Sequence, residues 1–175
     1  MYYFAIASRC FIGVVFLVSF LGKGINSGSR RAFIESLRET RLIPDRLLSM
    51  SAFVILVAEM TIVVLMAVPN ATVNVIGFAI AAALLTVFAI GIVQVLRSRR
   101  QASCRCFGGS SAPLRVRHVL RNVLLVVVCL AGALVMETTE AGTASEVAGI
   151  CIALFGGGVF GALTTKFDEI VELFG

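Results

Sequence analysis

The chain of 175 residues is 59% hydrophobic and only 14% charged, with a mean hydropathy of +1.01, against roughly 45–50% apolar residues in soluble domains. The bilayer is therefore its main solvent, and soluble-enzyme chemistry is excluded. Its formal charge of +5 is split between two juxtamembrane stretches and not gathered on a soluble module, which excludes nucleic acid as a partner and points to topology and anionic-lipid contact.

The first apolar run extends from Tyr3 to Leu21, broken only by Ser8, Arg9 and Ser19, and ends at Gly22-Lys23-Gly24. It has no basic stretch before it and no small-residue cleavage site after it, so it is expected to be retained as a membrane helix and not removed as a signal peptide. A polar connection follows, in which Ser29 to Ile43 can form a short amphipathic helix with Phe33, Ile34 and Leu37 on one side, lying along the membrane interface. The second run, Leu47 to Val68, stops at Pro69-Asn70, a strong turn pair. The third, Val73 to Leu96, begins so soon afterwards that the two must form an antiparallel hairpin. A basic, small-residue stretch leads to the fourth run, Val119 to Met136. An acidic linker then leads to Val147 to Leu163, close to the shortest length, roughly 17 residues, that crosses a bilayer. None of these runs alternates apolar and polar residues, which excludes a β-barrel. The expected fold is an all-α integral membrane bundle forming one transmembrane domain over residues 1–175, with four core helices, a fifth span and the interfacial helix between the first two.

Orientation follows from Lys and Arg in short loops. The connection after the first span carries Lys23, Arg30, Arg31, Arg38, Arg41 and Arg46, and the one after the third carries Arg97, Arg99, Arg100, Arg105, Arg115 and Arg117. The turn at Pro69-Asn70 and the linker from Glu137 to Glu146 carry none. The N-terminus is thus expected outside and both basic loops in the cytoplasm of a cell-membrane protein.

The second of those loops holds Cys104-Arg105-Cys106-Phe107-Gly108. Two thiols in a polar loop are exposed, and Arg105, Arg99 and Arg100 favour the thiolate, which is the reactive form. A disulfide between such near neighbours closes a small ring around a turn, for which Gly108-Gly109 supplies flexible backbone, and strain makes it easy to reduce. Cys104 and Cys106 are therefore the candidate exchanging pair. Inert loop thiols are the plain alternative. A soft-metal site is the other, but His118 is the only histidine and no zinc pattern can be completed around it, so no metal is expected. Cys10, Cys129 and Cys151 fall within apolar runs and read as small packing residues, with receipt of a disulfide from the loop pair as the alternative. Ionisable groups inside spans are costly, so Arg9 and Glu59 are expected to face the bundle interior and to pair with each other across its outer half. Gly157 and Gly161 form a small-residue packing face in the fifth span.

Arg9, Gly22-Lys23 at the exit of the first span, the closing Leu42-Ile43-Pro44, Glu59, Cys104-Arg105-Cys106-Phe107-Gly108 and Arg121-Asn122 together resemble the MauE family, the methylamine-utilisation membrane proteins related to DoxX-like proteins. The resemblance covers about the first 136 residues, and its most specific part is the Cys-x-Cys-Phe-Gly element followed by Arg-Asn. It implies a redox-associated membrane protein that supports maturation of an exported, disulfide-containing client, often beside a thioredoxin-like protein. In those terms Cys104 and Cys106 exchange disulfides, with Phe107 and Gly108 part of the same element, while Lys23, Glu59, Arg121 and Asn122 line or brace the core.

Two functions follow from different classes. One is a thiol-disulfide oxidoreductase or electron conduit, with a quinone as candidate cofactor and acceptor and another cysteine as the alternative acceptor. The other is a non-enzymatic membrane chaperone or assembly factor, for which both loop cysteines are dispensable. A transporter is disfavoured because the spans show no internal repeat.

Overall fold

The computed structural model describes residues 2–98 and 116–138, together with residues 156, 157 and 159. Five helices cover nearly all of them: α1 (Tyr2–Gly24), α2 (Ser27–Thr40), α3 (Leu48–Ala67), α4 (Ala71–Arg97) and α5 (Val116–Thr138). Four of these, α1, α3, α4 and α5, are long and apolar enough to cross a membrane. No strand occurs among the described residues. The all-α membrane bundle expected from the sequence is thus the observed fold.

Each boundary has a local cause. α1 does not stop at Gly22: the amide of Ile25 still donates to the carbonyl of Leu21, so Lys23 belongs to the helix and not to a loop. The Asn26 side chain caps α2 by accepting from the Ser29 amide at 2.8 Å. α2 is shorter at its far end than the predicted Ser29–Ile43 helix, because Arg41 takes a left-handed conformation with φ of 53° and its amide closes the last turn on Arg38. Pro44 then disfavours helical backbone at Ile43, and a 3-10 turn at Asp45–Leu47 leads into α3. Pro69 ends the next stretch, and the Asn70 side chain caps α4 through the Val73 amide at 3.2 Å.

The four long helices close a ring in which α1 packs on α3, α3 on α4, α4 on α5 and α5 back on α1. Their shared core joins Ile12, Val15 and Phe16 of α1, Ile62 and Met66 of α3, Phe78, Ala81 and Leu85 of α4, and Leu125 and Cys129 of α5. The outward faces are just as apolar, with Phe53, Val57, Val64, Ile90 and Leu134 among the exposed side chains, as lipid requires and water would penalise. α2 is amphipathic and packs on α1 and α3, setting Phe33 and Leu37 against Leu48 and Ala52. Ile34, predicted on the same face, is half-buried there.

Small residues set the closest approaches, since packing and not the hydrophobic effect drives helix association in lipid. A Cβ on Gly132 of α5 would lie 2.8 Å from the Phe78 ring of α4, and one on Gly157 would lie 2.5 Å from the Ala7 carbonyl of α1. Residues 156, 157 and 159 are helical. Gly161 and the remainder of the predicted 147–163 span lie outside the described residues. Because Phe78 is buried and cannot swing away, Gly132→Val should lower stability in detergent by about 1–3 kcal/mol through overpacking, read as a drop in the thermal unfolding midpoint.

Candidate functional site

The bundle interior holds a polar centre assembled from every helix. Glu59, on α3, is fully buried, and so is Lys23, in the last turn of α1. The Lys23 ammonium donates to Glu59 Oε1, forming a buried ion pair. Ser19, one helical turn before Lys23 on the same face, donates its hydroxyl to that oxygen at 2.9 Å. The ammonium also faces two rings, Phe33 of α2 at 5.0 Å and Phe88 of α4 at 5.3 Å from their centroids, whose π-clouds attract a cation. From α5, Arg121 stands near enough for its charge to act on Lys23, and the neighbouring Asn122 is buried.

Elementary magnitudes explain why these charges tolerate the membrane. An ionised side chain at the centre of a spanning helix costs roughly 2.5–3.5 kcal/mol on insertion scales. A hydrogen bond to a charged group returns about 1.5–3 kcal/mol, and a desolvated cation over an aromatic face about 2 kcal/mol. Lys23 donates to the carboxylate and faces two aromatic rings, so its burial is compensated locally. Glu59 is compensated on one oxygen; its Oε2 accepts no hydrogen bond from the described residues, nor does Asn122 Oδ1. Unsatisfied acceptors in a dry interior are places where a water or a donor-bearing guest gains most.

The expected Arg9–Glu59 pair is replaced by Lys23–Glu59. α1 and α3 run antiparallel with Gly24 beside Leu56 and Gly13 beside Met66, which brings the C-terminal end of α1 level with Glu59. Arg9 lies fourteen positions earlier, about 21 Å along the axis, and is half-buried. Placing Lys23 in a loop hid the pair; the continuation of α1 past Gly22 is what brings it inside. Ser19 was legible as a same-face neighbour of Lys23, whereas nothing in the sequence separates Phe33 and Phe88 from other core aromatics. Cys104, Cys106, Phe107 and Gly108 lie outside the described residues. The chain leaves α4 at Ser98 and enters α5 at Val116 on the side of the bundle where α1 ends and α3 begins, the side nearer Lys23. Cys129 is buried in the main core, Cys10 is half-buried beside Gly157, and Cys151 is outside the described residues.

Comparison with known proteins places this arrangement. The family profile for "Methylamine utilisation protein MauE" matches residues 1–135. The chain belongs to the MauE family. A Paracoccus denitrificans protein named methylamine utilization protein MauE is 34% identical over 128 residues, spanning 71% of this chain and 66% of that relative's length. No solved structure matches. The MauE match takes in all of α1 to α4, the complete charge centre and the Cys104–Gly108 segment, and it ends before the predicted span at 147–163. Together with the four membrane-crossing helices, it makes this a multi-pass membrane protein.

If the pair is a single unit, either charge alone is worse than neither. Lys23→Met or Glu59→Leu should each destabilise the folded protein by roughly 3–5 kcal/mol, the cost of leaving one buried charge uncompensated, with the double variant recovering most of the loss. Unfolding of the purified variants in micelles reads this directly, and losses that simply add would show the two groups to be independent.

Proposed function

We infer that this MauE-family protein carries out thiol-disulfide exchange through Cys104 and Cys106 and thereby supports maturation of an exported partner. The Paracoccus relative is named for methylamine utilisation, and we extend that setting to this chain, with the partner an exported, disulfide-containing protein of the same process. The observation that carries the reading is the Cys104-Arg105-Cys106-Phe107-Gly108 segment, which falls within the family match and stands in the sequence between α4 and α5. In the reaction, one thiolate attacks a partner disulfide, forming a mixed disulfide and releasing a partner thiolate that takes up a proton. The second thiol then attacks the mixed bond, leaving Cys104–Cys106 oxidised and the partner reduced by two electrons. A thioredoxin-like dithiol resets the pair; run in reverse, a quinone accepts the two electrons. Arg105 supports the thiolate form. Arg9, Lys23, Glu59, Arg121 and Asn122 brace the bundle, and the charge bias of the loops sets the pair on the cytoplasmic side with the N-terminus outside. The disulfide attacked directly is therefore one reached on that side, and the reducing equivalents pass outward through the bundle to the exported partner.

A variant retaining only Cys104 and Cys106 should react with a membrane-impermeant thiol mass tag only after cells are permeabilised, and more strongly after reduction. Cys104→Ser with Cys106→Ser should abolish partner maturation. Labelling in intact cells would reverse the orientation. Maturation that survives the double substitution would remove the exchange chemistry and leave an assembly factor.

A further inference from the structure

An apolar cavity lies beside the charge centre, sharing with it the Phe33 and Phe88 rings that face Lys23. α2 packs on α1 and α3, and between it and the last third of α4 there remains a cavity of about 260 Å³. Its lining is almost wholly apolar, with Leu42, Val87, Phe88, Ile90 and Gly91 among the walls and Gln94 at one end. Three of these walls face outward: Leu42, Val87 and Ile90 are 43%, 63% and 53% exposed, so the cavity opens sideways into the surrounding lipid. At 27 residues, α4 is about 40 Å long, some 10 Å more than the hydrocarbon core. Its last turns therefore stand at headgroup depth, with Val87 and Ile90 below in the acyl region.

The headgroup end of the opening is cationic. Arg41 immediately precedes Leu42, and Arg97 lies one turn beyond Gln94 on the same side of α4; both are exposed. Arg41 is also where the backbone is left-handed, with φ of 53°. That helix-terminal position is ordinarily given to glycine, because a side chain there is strained. An arginine kept in a strained conformation beside the cavity mouth is an independent sign that its charge has a use.

We propose that this cavity binds one acyl chain of an anionic phospholipid, whose phosphate is held by Arg41 and Arg97. The chain enters from the bilayer between Leu42 and Val87, fills the gap that direct α2–α4 packing would otherwise close, and lies against Phe88, whose ring also faces Lys23. The bound lipid thereby forms part of the wall that keeps water from the buried ion pair.

Native mass spectrometry of the full chain in mild detergent, titrated with phosphatidylglycerol or phosphatidylcholine of identical acyl chains, tests this. The wild type should retain phosphatidylglycerol preferentially. Each arginine near the surface favours an anionic headgroup by roughly fivefold, so Arg41→Gly should cut the preference by about that factor while leaving the unfolding midpoint unchanged or higher. A Cβ on Gly91 meets Leu42 at an ordinary 3.6 Å, so Gly91→Phe can grow into the cavity and should abolish retention of both lipids. Equal retention of the two lipids by wild type, or undiminished retention by Gly91→Phe, overturns the proposal. Should Gly91→Phe not fold, an acyl-chain photoprobe on wild type decides. Adducts concentrated at Leu42 and the 87–94 stretch support the site, whereas adducts spread evenly over the exposed faces of α3 and α5 overturn it.

Discussion

A carboxylate and an ammonium buried together inside a membrane bundle constrain everything around them. Lys23 and Glu59 fix the register of α1 against α3, because a shift of one turn would move each charge about 5.4 Å and strand both in hydrocarbon. The same pair explains why α2 turns back onto the bundle: its Phe33 supplies one of the two rings over the ammonium, and its Leu37 is held at the start of α3. Packing in lipid gains nothing from apolar burial as such, so a polar contact of this kind, with glycine-mediated close approaches, gives the bundle its specificity.

Much of the architecture was legible because hydrophobic run length reports directly on the bilayer. The run from Leu47 to Val68 contains α3, the run from Val73 to Leu96 lies within α4, and the Pro69-Asn70 pair marks the turn between them. Boundaries set by hydrogen bonding were less visible. Gly22 and Gly24 read as a break, yet the backbone ladder of α1 runs through them to Ile25, and this moved Lys23 from a loop into the core. The identity of Glu59's partner turned on that single boundary. The shortening of α2 has the same character, since a left-handed arginine leaves no compositional trace.

The polar centre and the family match bear on function in different ways. Within the MauE family match lie both the charge centre, which the helices build, and the cysteine segment, which joins α4 to α5. Glu59 Oε2 and Asn122 Oδ1 are buried acceptors without a bond among the described residues, and they give the interior a hydrophilic spot that stability alone does not require.

The ion pair also imposes an order on biosynthesis. Lys23 and Glu59 are separated by 36 residues, so at a synthesis rate of about 5–20 residues per second the first helix emerges roughly 2–7 s before its counter-charge. Throughout that interval the nascent first helix carries an unneutralised ammonium near its trailing end. It can settle against the headgroups with that end held at the surface, and it is drawn fully into register only when the hairpin of α3 and α4 arrives. Membrane integration of this protein is therefore a two-step event, in which the depth of the first helix is decided by the third.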